Sequence, residues 1–211
     1  MNREKIIIID FGSQFTQLIT RKVRELGAYS EIINFTKTKK LNKNQFIKGI
    51  ILSGGPLTVT DKKTPKLENE ILNLNVPILG ICYGHQMLSK KLGGRVKTSK
   101  KREFGRTFLK SISKSPITKN FFAKKTPVWM SHQDIVSVIP KGFKRIASST
   151  NSKFAIISNE IKKYYGIQFH PKVSHTKNAK ILIKNFLFNI CKIKKTWNTK
   201  QQKKIFSNQT F

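Results

Sequence analysis

Val76-Pro77-Ile78-Leu79-Gly80-Ile81-Cys82-Tyr83-Gly84-His85-Gln86-Met87-Leu88 passes from an apolar run into a helical pattern, with a cysteine at the junction. Val76 to Ile81 has the length and composition of a strand buried on both faces. Gln86, Met87, Leu88 and Leu92 continue a helix that starts at Tyr83 and ends near Gly93-Gly94. Gly80-Ile81-Cys82-Tyr83-Gly84 is the cysteine version of the Gly-x-Ser-x-Gly elbow. Small residues two positions either side permit a strained turn that lifts the Cys82 side chain clear of the sheet, along the helix N-terminus. There the helix dipole and unpaired N–H groups favour a thiolate and can hold a developing oxyanion. The plain alternative is a cysteine packed as a small hydrophobe.

Working outward, the same strand-turn-helix texture repeats. Lys5 to Asp10, with four consecutive isoleucines, predicts a buried strand, and Thr16 to Leu26 an amphipathic helix closed by Gly27. Tyr29 to Asn34 and Gly49 to Leu52 read as further strands, with short helices at Leu41 to Ile47 and Lys66 to Leu74. Such alternation predicts an α/β fold: a mostly parallel central sheet flanked by helices, in flavodoxin-like layers. Beyond Gly94 the pieces shorten and alternate: Arg106 to Ile112, Pro127 to Met130, Ile135 to Ile139, Phe143 to Ser148, Phe154 to Ser158 and Tyr164 to Phe169. They predict a small antiparallel sheet and returns to the sheet edge. A helix follows at Asn178 to Ile190, and residues 192–211 read as a polar, basic tail or linker after a domain at residues 1–191.

The 211 residues suit one domain, and 38% hydrophobic content suffices for its core. No run reaches the roughly 18 apolar residues of a membrane span, and residues 1–5 carry no signal pattern, so a cytoplasmic location is expected. Cys82 and Cys191, the two cysteines, stand in unrelated settings, which argues against a disulfide framework. The formal charge is +32, yet 35 of the 42 basic residues are lysines scattered along the chain. Phosphate forks and base reading favour arginine, interleaved with aromatics where bases stack. The charge therefore fits solvated faces better than a dedicated nucleic-acid module.

Two more segments fall at predicted strand ends, where open α/β sheets gather ligands. Ser53-Gly54-Gly55-Pro56 offers glycine N–H groups to a substrate carbonyl, although an ordinary turn has the same composition, and it lacks the Lys-Ser/Thr ending of a phosphate loop. Phe169-His170-Pro171-Lys172 carries a histidine downstream of a turn-borne cysteine, a candidate general base. His170 and His175 alone, without a further ligand cluster, do not make a metal site.

Together these segments resemble the class I, triad-type, glutamine amidotransferases, and among them the glutaminase part of GMP synthases. The resemblance rests on residues 10–19, residues 51–56, Gly80 to Gln86, Arg102-Glu103-Phe104-Gly105, Trp129-Met130-Ser131-His132-Gln133-Asp134 and residues 168–176. It implies that Cys82 attacks the side-chain amide of glutamine while His170 shuttles the proton, with no cofactor. Gly55 and Tyr83 N–H groups would form the oxyanion hole, and Gln86, Met130, Ser131, His132 and Asp134 the glutamine pocket. Ammonia would pass to an ATP-pyrophosphatase, or synthetase, chain that aminates XMP, since the corresponding domain's Ser-Gly-Gly-Val-Asp-Ser phosphate loop is absent here.

Two positions depart from that pattern. Gln133 replaces a frequent glycine. Lys172 stands where the family carries the glutamate that orients the histidine. An ammonium has three donors and no acceptor, and at about 4 Å with an effective dielectric near 20 it would oppose an imidazolium by up to roughly 4 kcal/mol. The resemblance thus leaves open a working glutaminase and an impaired one that docks on or regulates the synthetase.

Overall fold

The computed structural model describes residues 3–41, 45–55, 58–61, 64–171 and 178–198. The Lys5–Asp10 run forms strand β1, and β2 (Ser30–Asn34) and β3 (Ile47–Leu52) pair with it in parallel on either side. Because successive side chains leave a strand on opposite faces, its isoleucines serve two cores. Ile6 and Ile8 pack with Ile19 and Val23 of helix α1 (Phe15–Glu25) on one side. Ile7 and Ile9 pack on the other with Ile71 of α2 (Asn69–Asn73) and Met87 and Leu88 of α3 (Tyr83–Lys91). All four isoleucines are at most 1% exposed, and each buried side chain contributes about 1.5–3 kcal/mol.

The α/β prediction holds, with one correction to the sheet. The described strands form a single nine-stranded sheet in the order β2-β1-β3-β4-β9-β8-β7-β5-β6. Here β4 is Ile78–Ile81, β5 Arg95–Ser111, β6 Thr126–Val138, β7 Lys144–Ser148, β8 Ile156–Asn159 and β9 Tyr164–Ile167. The pairings from β2 to β9 are parallel and those from β9 to β6 antiparallel, so the antiparallel strands extend the main sheet rather than forming a separate small one. The join comes from the length of β5: its Lys110-Ser111 end pairs with β7, and the rest pairs with β6. Only the C-terminal part of β5 was legible, because its first half is basic and polar without apolar alternation. The two short strands expected at Pro127 and Ile135 are one strand, β6, interrupted in hydropathy by inward-facing His132 and Asp134.

The helix expected over Leu41 to Ile47 falls partly on residues 42–44, outside the described residues; Ile47 already belongs to β3. A 3-10 helix at Phe35–Lys40 precedes it, opened by the Asn34 side chain accepting from the Thr36 N–H. The last helix, α4 (Ala179–Lys184), continues as a π-helical turn, Asn185–Ile190, where the Asn185 amide donates to the Ile117 and Lys119 carbonyls. The beginning of the expected basic tail packs against the body: Trp197 donates its backbone N–H to Gly27, and its ring lies 5.2 Å from that of Tyr29, with Arg3 and Arg24 over it. Among the described residues no helix is long and apolar enough to cross a membrane.

The elbow depends on two close approaches. A Cβ on Gly80 would stand 2.6 Å from the Gly84 carbonyl oxygen, and one on Gly84 would overlap the Leu52 carbonyl at the end of β3. Gly84→Ala should therefore lower stability by about 3 kcal/mol, read as a drop in the urea unfolding midpoint. Ile161→Ser, at a side chain 96% exposed, should change it by less than about 0.5 kcal/mol.

Candidate active site

Cys82 joins β4 to α3 with φ 52° and ψ −105°, a conformation that costs a non-glycine residue about 1–3 kcal/mol. Its backbone N–H donates to the Ile167 carbonyl at 2.7 Å, which carries the β4–β9 pairing up to Cys82 and holds the turn. The sulfur has three polar neighbours, one of them the Tyr83 backbone N–H. Its S–H faces the Ser131 carbonyl at 3.9 Å, and the Gln168 side-chain amide donates to it from 3.8 Å. Burial pushes the thiol up to about 12, against the opposing pull of the Tyr83 backbone N–H and the Gln168 amide. Desolvation thus outweighs the helix terminus, whose Tyr83 N–H still pulls toward the thiolate as expected.

His170 follows β9 and is anchored by its N–H to the Trp129 carbonyl at 3.3 Å, with its ring 4.4 Å from that of Phe15. Burial, helped by the nearby His132, brings its pKa down to about 4, so the imidazole is neutral at neutral pH and able to take a proton. Cys82 and His170 line one cavity of about 330 Å³ together with Ser13, Phe15 and Gly54. Cys82 also lines a second cavity, of about 390 Å³, with Gln86, His132 and Asp134. Gly55 and Ser131 border both, which places the sulfur at a waist between the two. The three segments singled out in the sequence therefore meet.

The Tyr83 ring covers Gly55, where a Cβ would come within 3.0 Å of it, so this turn admits only glycine without displacing the ring. Gln86 spends its amide protons inside the protein, on the Asp134 carbonyl at 2.7 Å and the Gln168 side-chain oxygen at 3.4 Å. The Asp134 carboxylate accepts from the Thr98 hydroxyl at 2.8 Å and from Thr58. His132 stands 3.2 Å from the buried Glu103 carboxylate, which also accepts from Ser149. Met130, expected in the pocket, is fully buried in the core and lines neither cavity. Lys172 and His175 lie outside the described residues. Among the described residues no group of three or more His, Cys, Asp and Glu could hold a metal ion.

Gln168, Glu103, Thr58 and Thr98 had no role assigned from the sequence. The one legible signal was polarity inside strand-like or motif segments, at Gln168 and Glu103, where a buried polar group needs a partner. His85 is similar: fully buried on α3, it stands 3.2 Å from the Phe154 carbonyl, and burial brings its pKa down to about 3.

His85 and His170 are both depressed from 6.5 in the folded chain. The unfolded chain therefore binds protons that the folded one refuses. Their stabilising contribution is full above about 6.5 and is lost as pH falls toward about 4 for His170 and about 3 for His85. Urea unfolding between about pH 6.5 and 5, where histidines dominate titration, should show falling stability and proton uptake; a flat profile would contradict this burial.

Residues 7–190 match the family described as Glutamine amidotransferase class-I. The Brachyspira hyodysenteriae protein named GMP synthase (glutamine-hydrolyzing) is 48% identical over 197 residues, covering 93% of this chain and 38% of that one. The Aquifex aeolicus protein of the same name is 46% identical with the same coverage, so the chain spans well under half the length of these relatives. A Thermoplasma acidophilum crystal structure, described as that of a GMP synthase subunit, superposes with a TM-score of 0.75 at 28% identity, covering 97% of this chain and 98% of that one. With its elbow cysteine, its downstream histidine and a match over most of its length, the chain belongs to the class I glutamine amidotransferase family.

Proposed function

We propose that this chain is the glutaminase part of a GMP synthase, hydrolysing glutamine at Cys82 and supplying ammonia to a separate synthetase chain that aminates XMP to GMP. The observation that carries the reading is a strained, buried cysteine sharing a cavity with a neutral histidine in a chain of this family. The likeness to a structure described as that of a GMP synthase subunit supports a synthetase partner. Residues 1–191 are read as the amidotransferase domain, with residues 192–211 as its tail, acting in the cytoplasm beside nucleotide synthesis.

The chemistry begins from an uncharged pair. As the Cys82 sulfur bonds to the amide carbon of glutamine, its proton moves to His170, and the carbonyl oxygen becomes an oxyanion beside the Gly55 and Tyr83 N–H groups. Collapse breaks the carbon–nitrogen bond; His170 returns the proton, so ammonia leaves and a γ-glutamyl thioester stays on Cys82. Water, activated by His170, then releases glutamate. In this reading Ser131, His132 and Asp134 border the cavity that takes the glutamine, Gln86 braces its wall, and Met130 supports that wall from the core.

A second reading is favoured by Lys172: a chain too slow to supply ammonia that binds and regulates the synthetase. Glutamate release, measured with and without an ATP-pyrophosphatase chain, separates the two. The glutaminase reading expects release that Cys82→Ser abolishes and Lys172→Glu raises by roughly 10- to 100-fold, through restored support of the imidazole. Release from Lys172→Glu but not from the native chain favours the regulatory reading. Release that survives Cys82→Ser contradicts both.

A further inference from the structure

Gln168 directly follows β9 near the centre of the sheet and is fully buried, so its side-chain amide has no access to water. Its backbone N–H donates to the Ala155 carbonyl, which fixes the strand end that also delivers His170 two residues later. Its side-chain oxygen faces the Gln86 amide at 3.4 Å, and the same Gln86 nitrogen is held by the Asp134 carbonyl at 2.7 Å. A nitrogen turned toward Gln86 would oppose a donor to a donor. The amide is thereby oriented by its neighbours, oxygen toward Gln86 and nitrogen toward Cys82, with the sulfur 3.8 Å away.

The polar neighbours of the sulfur suit opposite protonation states. The Ser131 carbonyl accepts from a thiol and repels a thiolate; the Tyr83 backbone N–H and the Gln168 N–H do the reverse. A donor is most valuable to a sulfur this little exposed, 8% for Cys82, where water competes weakly. We propose that Gln168 is a catalytic residue of this site: its buried amide donates an N–H to the Cys82 sulfur and stabilises the thiolate as the proton leaves for His170. This inference rests on the reading of Cys82 as the nucleophile of a glutaminase. It gives the sulfur a source of support separate from whatever orients His170.

The titratable and charged groups facing this sulfur are His170 after β9, His132 and Asp134 on β6 with Glu103 of β5 behind His132, and Tyr83 on α3; Lys172 lies outside the described residues. All are common to the native chain and to Gln168→Met, so that comparison isolates the amide. The test is the rate of Cys82 alkylation by iodoacetamide as a function of pH, followed on the Cys82 peptide by mass spectrometry, for the native chain, Gln168→Met and Gln168→Glu. Gln168→Met should alkylate about tenfold more slowly near pH 7, with its profile displaced to higher pH, and Gln168→Glu, of nearly the same shape but with an acceptor and a negative charge in place of the donor, more slowly still. In glutamate release the loss should appear in kcat with KM changed less than about twofold. Either variant folded, with the native alkylation profile, overturns the proposal, as does failure of both to fold, which would make the residue structural. A displaced profile in a chain that releases no glutamate removes the glutaminase reading and leaves the thiolate contact standing.

Discussion

The contact on which the site depends is the close approach of helix α3 to strands β3 and β4. It is possible because Gly80 and Gly84 have no side chains: one faces the backbone of the helix's first turn, the other the Leu52 carbonyl. With the helix this near the sheet, the residue between strand and helix has no room for a relaxed loop. Cys82 is left at positive φ, with its sulfur at the C-terminal edge of the parallel strands. The same edge carries the Gly54-Gly55 turn after β3 and His170 after β9, the neighbours of β4 in the sheet. Topology therefore brings together residues 54, 82 and 170 without any local motif linking them.

Burial then sets the chemistry. Enclosure raises the thiol and lowers the imidazole, which favours the uncharged form of each, and in the proposed mechanism charge separates only when a substrate carbon is there to take the sulfur. A resting ion pair would be more reactive toward any electrophile; a neutral pair confines reactivity to a filled pocket. The polar groups around the cavity are engaged with one another: Gln86 with Asp134 and Gln168, Asp134 with Thr98 and Thr58, Glu103 with His132 and Ser149. Such pairing lets β6 carry the Asp134 carboxylate inward beside the sulfur with its oxygens engaged.

Much of this was legible because the parallel half obeys local rules. Four isoleucines in β1, flanked by turn residues and an amphipathic helix, announce a doubly covered strand, and the glycine spacing around Cys82 announces the elbow. The antiparallel half was harder. The first part of β5 is basic and exposed, and β6 alternates polar site residues with core residues, so hydropathy split one strand into two and hid the other's beginning. The balance at the thiol was not legible either, because a helix N-terminus can be read from sequence whereas the desolvation that outweighs it cannot. Gln168 and Glu103 escaped assignment because their contacts are with partners distant in the chain: Gln86 and Cys82 for one, His132 and Ser149 for the other.

The central claim is that the strained, buried thiol of Cys82 forms a covalent bond with the γ-carbonyl of glutamine. Rapid acid quenching of the protein with glutamine, followed by mass spectrometry of its peptides, tests it most directly. The account predicts a γ-glutamyl adduct confined to the Cys82 peptide, forming with glutamine and not with glutamate, and more abundant in the Lys172→Glu chain. An adduct at Cys191 or elsewhere, or none in either chain while glutamate is being released, would contradict it.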